Sequence, residues 1–279
     1  MTITLGAILR PQLPPERLRS AVRTADEAGL DELWLWEDCF LQGGLTAASA
    51  ALAWTDRLRI GVGLLPVPLR NVALTAMETA ALHRMFPGRL SLAVGHGVQD
   101  WMAQVGARPD SPLTLLSEYT NALRALLNGE RVTTSGTYVT LDDVALDWPP
   151  QTPAEILVGG IGPRTLALAG RIADGTVLNE SATPGRVREI RAAAPAPHRI
   201  VVYVFAATGE GAGARLAREL DRLGLTGVGV AGDAETVAAE VRRYADAGAD
   251  TVVLLPTPDD PDPEGFLRFT AEQVRPLVK

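Results

Sequence analysis

The chain has 279 residues, 47% of them hydrophobic and 21% charged, enough to bury a substantial core in one closed barrel or in two smaller domains. Its formal net charge of −7 supplies no basic field for a phosphate backbone, so no nucleic-acid partner is expected. Cys39 is the only cysteine and Lys279 the only lysine, which excludes an intrachain disulfide, a cysteine-held cluster, an internal Schiff base and a P-loop lysine.

Three histidines, His83, His96 and His198, are scattered without metal-ligand spacing, so no metal site is expected. No run of about twenty apolar residues and no leader-like amino terminus is present, so the expected location is the cytoplasm, without a membrane partner.

Short runs rich in branched and aromatic residues alternate with longer runs of helical period, the pattern of a parallel sheet wrapped by helices. The first strand is read at residues 3–9 and its helix at 14–28, where Leu18, Val22 and Ala25 share a face and Gly29 ends the helix. The second pair is read at 33–36 and 45–55, and the third at 59–65 and 71–85. The fourth strand, 89–94, runs into Gly95, His96 and Gly97, then a long loop with Trp101, then a helix at 112–128.

An extra hairpin at 131–144 turns at Ser135 and Gly136 and is placed outside the main sheet. The fifth strand, 155–158, precedes a helix starting near Gly162 and Pro163; the sixth, 176–178, precedes one opening at Thr183 and Pro184. The seventh strand, 199–206, is followed by helices at 211–223 and 233–247 separated by a glycine-punctuated stretch. The eighth strand, 251–255, and a helix at 263–277 complete the chain. Eight rounds without a linker predict one α/β domain over 1–279, a (β/α)8 TIM barrel with a small hairpin after the fourth helix and an added helix between strands seven and eight.

In such a barrel, function sits on the loops at the carboxyl ends of the strands. Glu37 and Asp38, Gly63 to Pro66, Gly95 to Gly97, Gly159 to Arg164, and Asn179 with Glu180 fall there. Gly159-Gly160-Ile161-Gly162-Pro163-Arg164 reads as a glycine-lined approach to a helix start, which suits a phosphate or carboxylate; it reads equally as a tight strand-to-helix turn. Glu37 and Asp38 are adjacent, so their side chains should diverge, one toward the mouth and one toward the helices. His96 is either a ligand donor or an exposed loop residue, and Trp101 and Met102 either cover a substrate or pack on outer helices.

These residues resemble the luciferase-like monooxygenase superfamily, particularly its deazaflavin-dependent reductases and dehydrogenases. The resemblance spans nearly the whole chain. It is carried by the run from Gly29 through Trp34, Trp36, Glu37 and Asp38, by Ala76-Met77-Glu78 leading to Pro87-Gly88-Arg89-Leu90, by Gly95-His96-Gly97-Val98, and by Gly162-Pro163-Arg164 followed by Leu168-Ala169-Gly170 and Ala173-Asp174-Gly175. It implies a flavin-like ring in the barrel mouth, with its phosphate tail toward the loops after strands four and five, held among Gly95, His96, Gly97, Gly159, Gly160, Gly162, Pro163 and Arg164. It also implies a bulge with a non-proline cis bond after strand three, placed here at Gly63-Leu64.

The implied cofactor is coenzyme F420, with FMN as the alternative, and the implied partners are a small organic substrate and a second copy of the chain. A deazaflavin carries carbon where a flavin carries its central nitrogen and forms no oxygen adduct there, so hydride transfer is expected rather than oxygenation. The alternatives are an FMN-dependent monooxygenase or a non-catalytic flavin carrier. By the same resemblance Asp38 stands where many deazaflavin-dependent dehydrogenases carry a histidine. A carboxylate replaces an imidazole as a proton carrier near neutral pH only if burial raises its pKa, so Asp38 is assigned to proton handling, Glu37 to hydrogen bonding with cofactor or substrate, and Trp101 and Met102 to substrate contact.

Overall fold

The computed structural model describes residues 3–278. In chain order the strands are β1 (Thr4–Leu9), β2 (Glu32–Leu35), β3 (Arg59–Pro66), β4 (Leu90–Gly95), β5 (Val132–Ser135), β6 (Thr140–Val144), β7 (Ile156–Gly159), β8 (Gly175–Leu178), β9 (Arg199–Ala207), β10 (Val230–Ala231) and β11 (Thr251–Leu255). The helices are α1 (Leu18–Ala28), α2 (Gly44–Ala53), α3 (Val72–Met85), α4 (Gln99–Gln104), α5 (Pro112–Leu127), α6 (Pro163–Ile172), α7 (Pro184–Ala193), α8 (Ala212–Leu223), α9 (Ala234–Asp246), α10 (Pro263–Arg268) and α11 (Arg275–Val278). Eight strands pair in parallel in the order β1-β2-β3-β4-β7-β8-β9-β11, and β11 returns to β1, closing a TIM barrel.

Local chemistry sets the helix ends. Asn71, Thr183 and Asp233 cap α3, α7 and α9 by accepting backbone N–H bonds, and Pro112, Pro163, Pro184 and Pro263 open their helices at positions where no amide hydrogen is needed. In α1, Leu18, Ala21, Val22 and Ala25 form the buried stripe, and Gly29 ends the helix at φ 92°.

Four local expectations change. The segment after β4 is the short helix α4 rather than a loop, because the backbone of Met102 bonds back to Val98. The hairpin turns over residues 136–139, closed by Gly136 N–H to Val139 O, and is tied to α5 because Glu118 accepts the amides of Thr137, Tyr138 and Val139 at 2.8–3.0 Å. The glycine-punctuated stretch after α8 contains β10, which adds to β9. The last helix is interrupted by a π-helical turn, Phe269–Val274.

Two apolar shells result. The outer one lies between strands and helices, and the inner one fills the barrel with Ile8, Trp34, Ala93, Leu157, Val201, Tyr203, Phe205 and Val253. Trp34 dominates the axis: a Cβ on Gly61 would lie 2.3 Å from its ring and one on Gly6 3.3 Å away, so glycines in the strands make room for one large aromatic. The aspartates that recur before strands also gain a role. Asp31, Asp174 and Asp250 accept amides from the first two residues of neighbouring strands, Leu5, Ile156 and Ile200, at 3.3, 2.8 and 2.7 Å, and so fasten the lower rim of the barrel.

Candidate active site

Side chains alternate along a strand, and the alternation on β2 builds a column up the barrel axis. Glu32 lies at the bottom against Arg199, Trp34 fills the centre, Trp36 packs on the inner shell, and Asp38 ends on the wall of an open cavity of about 380 Å³. Tyr203 of β9 supports both indoles, edge-on to Trp34 at 6.0 Å and tilted against Trp36 at 6.0 Å.

Parity also separates the adjacent acids. Glu37 still borders the cavity, but its Oε2 accepts from Gly44 N–H at 2.7 Å and from Arg70 Nη1 at 3.3 Å, while Arg70 also pairs with Glu78. Among the described residues no hydrogen bond anchors the Asp38 carboxylate in this way; burial pushes its pKa up, Arg10 opposes the shift, and Glu180 adds to it. Arg10 crowns β1, with its guanidinium 5.7 Å from the Trp36 ring and 5.8 Å from Phe205, and its Nε donates to Pro256 O at 2.6 Å. Burial lowers the pKa of Arg10, and Glu219, Glu180 and Asp38 counter that shift.

The opposite wall is backbone. Between the pairs Val62↔Leu92 and Leu65↔Val94, β3 carries an extra residue, and the Gly63-Leu64 bond is cis as expected; Cys39-Phe40 is a second non-proline cis bond, and Ala196-Pro197 is also cis. Tyr203 Oη donates to Gly63 O at 3.1 Å, and a Cβ on Gly63 would lie 1.9 Å from that oxygen. Leu64 reaches over two more glycines: a Cβ on Gly95 or Gly159 would approach its Cδ2 to 2.6 or 2.3 Å. Glycines at these three positions let the backbone close over the barrel and leave a surface broad enough for a planar ring.

Beyond β4, Gly97 adopts φ +66°, and a Cβ there would lie 2.8 Å from Pro66 and 3.3 Å from Met102. Met102 is fully buried beneath this turn and is absent from the cavity wall, which corrects its expected substrate contact: the first turn of α4 points it inward as a packing residue. Trp101, one position earlier on α4, does border the cavity, together with His96, Gly97, Gly159 and Gly160.

Gly162, Pro163 and Arg164 line a second cavity of about 440 Å³, which shares His96 with the first. His96 Nε2 lies 3.0 Å from Thr165 Oγ1 at the boundary, and burial lowers its pKa, partly offset by the Pro112 carbonyl, so the ring is neutral near neutral pH. α6 has no side-chain cap at Gly162, and its second and third residues, Arg164 and Thr165, bring free first-turn amides and a guanidinium to an opening. A ring surface of glycine backbone joined to an uncapped helix start is the donor set that a flavin-like ring with a phosphate tail requires.

Sequence reasoning did not select Trp36, Tyr203 or Arg10 for the site, and it placed Glu180 at a strand end without giving it a role. The signal for the first was available: Trp36 lies between Trp34 and Asp38 at the same parity. Tyr203 and Arg10 come from β9 and β1, and only barrel closure brings them to the residues of β2.

Among the described residues no group of three or more His, Cys, Asp or Glu side chains is placed to hold a metal ion, and no helix is long and apolar enough to cross a membrane. Residues 2–218 match the family model described as luciferase-like monooxygenase. Among relatives, the chain is 27% identical over 179 residues to 5,10-methylenetetrahydromethanopterin reductase of Methanolobus tindarius, covering 64% of this chain and 55% of that protein. It is 32% identical over 190 residues to F420-dependent glucose-6-phosphate dehydrogenase of Nakamurella multipartita, covering 62% and 55%. The chain thus spans little more than half the length of these relatives. Among solved structures, an F420-dependent secondary alcohol dehydrogenase in complex with an F420-acetone adduct superposes with a TM-score of 0.86 at 22% identity, over 100% of both chains.

Proposed function

Because the chain belongs to the luciferase-like monooxygenase family, we propose that it is an oxidoreductase that transfers a hydride between coenzyme F420 and a small organic substrate in the barrel mouth. The observation that carries this reading is the junction of two cavities at His96, one floored by the Gly63-Leu64 bulge and the other opening on the start of α6. The names of two of these proteins, the glucose-6-phosphate dehydrogenase and the secondary alcohol dehydrogenase, specify dependence on coenzyme F420 and support it.

The bound coenzyme supplies the carbon that accepts or donates hydride. The residues of this chain do the rest. Gly95, Gly159 and the Gly63-Leu64 backbone hold the ring's face, while Gly160, Gly162, Pro163 and Arg164 seat its phosphate. Trp36 and Trp101 hold the substrate's apolar surface and exclude water, and Asp38 takes the proton from a substrate hydroxyl or amine on oxidation, or returns it on reduction. Arg10 acts through Asp38 as a positioning residue, limiting how far its carboxyl pKa rises. Glu37 acts as a wall residue that holds the start of α2.

Among the described residues the wall of the first cavity carries Glu37, Asp38 and Glu180 and no arginine. That lining disfavours a phosphorylated sugar and favours a neutral or cationic substrate. A second reading, an FMN-dependent monooxygenase, draws on the family description and on the same phosphate seat.

Anaerobic titration with coenzyme F420 and with FMN, followed by turnover against secondary alcohols, aldehydes, imines and glucose 6-phosphate, tests both. Tight binding of FMN without binding of coenzyme F420 sinks the proposal; binding of F420 without turnover by any substrate class favours a carrier. Cytoplasmic location and a homodimer are part of this reading. Phe40, Leu41, Leu69, Leu74 and Met77 are exposed and apolar on the loops after β2 and β3 and on α3, a face suited to a second copy, and light scattering of the purified protein checks it.

A further inference from the structure

The three carboxylates on the wall of the first cavity differ in what already holds them. Glu37 is committed to Gly44 N–H and to Arg70. Glu180, on the loop after β8, is half-buried and takes no hydrogen bond or ion pair from any described residue. Asp38 is likewise unanchored, and the two lie close enough for the charge of Glu180 to oppose ionisation of Asp38.

The cation that acts on this pair does not satisfy it. Arg10 stands outside the cavity wall, gives Nε to Pro256 O at 2.6 Å, lies against the Trp36 and Phe205 rings, and is 4.0 Å from Glu219. Its attraction to Glu219 exceeds its attraction to Glu180 and to Asp38, and Arg222 is spent on the same glutamate at 2.7 Å. Two arginines set against Glu219, Glu180 and Asp38 leave a carboxylate in excess, beside a wall that carries no arginine among the described residues.

The rest of the wall is aromatic and apolar. Trp36 and Trp101 contribute indoles, and Val98 and Ile161 are 47% and 45% exposed on the same wall. A cation with an apolar body matches both parts of this lining, because ammonium is attracted to carboxylates and to indole faces alike. The hydride step adds a second reason. An alcohol that loses its hydroxyl proton and a hydride becomes a neutral ketone, whereas an ammonium that loses one proton and a hydride becomes a cationic iminium, and only the iminium keeps a charge for the wall to hold.

We propose that the substrate is an amine with an apolar body, interconverted with its imine, and that Glu180 selects it by holding the charged nitrogen. This assignment rests on the hydride-transfer reading above. In oxidation Asp38 takes one proton from the ammonium, the α C–H bond breaks with its electron pair passing as hydride to the ring carbon of the coenzyme, and the nitrogen lone pair forms the C=N bond of the iminium. In reduction the iminium carbon receives the hydride, and Asp38 returns the proton to nitrogen.

Calorimetric titration of cyclohexylamine and isopropylamine, each against the alcohol of the same skeleton, tests it at neutral pH in wild type and Glu180→Gln, with and without coenzyme F420. Wild type should bind each amine about tenfold more tightly than its alcohol, as one charge-assisted contact provides. The preference should fall with added salt and shrink to about twofold or less in E180Q, and the amine-to-alcohol ratio of kcat/KM should drop with it. Equal or tighter binding of the alcohols by wild type, or no binding of either amine, overturns the amine assignment while leaving the coenzyme reading standing. An amine preference left intact in E180Q overturns the role of Glu180. Failure of coenzyme F420 to bind, with the amine preference present, overturns the hydride-transfer reading and the substrate assignment that rests on it.

Discussion

At the amino-terminal end of the barrel, Arg199 reaches Glu32 at 2.7 Å, Glu155 at 2.7 Å and the Thr251 hydroxyl at 2.9 Å, and Trp34 Nε1 donates to Glu32 at 3.0 Å. Burial disfavours the Arg199 charge, but Glu32 and Glu155 more than compensate and raise its pKa. At the carboxyl end Arg10 lies against the Trp36 and Phe205 rings and pairs with Glu219 at 4.0 Å, acting on Asp38 only by longer-range attraction, and the Asp38 pKa stays raised. Arginine and carboxylate therefore serve two purposes in one barrel. Close pairing below stabilises the closed barrel, whereas loose pairing above leaves a carboxyl able to exchange a proton.

The contrast is most directly broken at its lower end. Arg199→Met should destabilise the protein by roughly 3 kcal/mol in urea denaturation, because Glu32, 1% exposed, would lose its closest cation and keep only Arg59 at 3.6 Å and the Trp34 indole. A loss below about 1 kcal/mol would mean that the lower network is not what holds the barrel closed.

At the upper end, Asp38→Asn should lower kcat on a hydride-transfer substrate by roughly a hundredfold or more, with coenzyme affinity within a factor of about three of wild type. The pH profile sharpens this. In the oxidation direction activity should fall as pH drops through the raised Asp38 pKa, above the usual aspartate range, and the asparagine variant should lack that limb. An unchanged profile would assign proton handling to another group.

Tyr203→Phe tests the joint between the two ends. Losing its hydrogen bond to Gly63 O should cost about 1 kcal/mol of stability and weaken coenzyme binding a few-fold, because the bulge loses its brace. The smallest effect is a linkage. Since the folded pKa of Asp38 lies above its unfolded value, ionisation costs stability as pH rises from the unfolded pKa to the folded one, and the cost persists above it. Asp38→Asn should therefore melt slightly higher than wild type at neutral pH, with the gap closing as pH falls through the raised folded pKa and gone by about pH 4, which thermal scans at several pH values would detect.

Much of this was readable along the chain. Alternation of strand and helix predicted eight rounds, and Asn71, Thr183 and the helix-opening prolines marked helix starts by chemistry confined to a few neighbouring residues. The resemblance placed the bulge at Gly63-Leu64, where the register shift occurs. Other features resisted because their cause is distant in sequence. Nothing near Gly61 explains a glycine in mid-strand; the explanation is the Trp34 ring pressed against it. Met102 and Trp101 are equally apolar neighbours, and only the local turn of α4 sends one into the core and the other to the cavity.

Local order in the chain was enough to specify the barrel, its single extra hairpin and the strand ends where chemistry collects, because periodicity and capping act over a few residues. Closure decided the rest. It anchored one of two adjacent acids on Gly44 and Arg70, put Arg10 near the other, and brought the glycines of β3, β4 and β7 under one cavity, since each of these depends on contacts between strands and helices far apart in the chain.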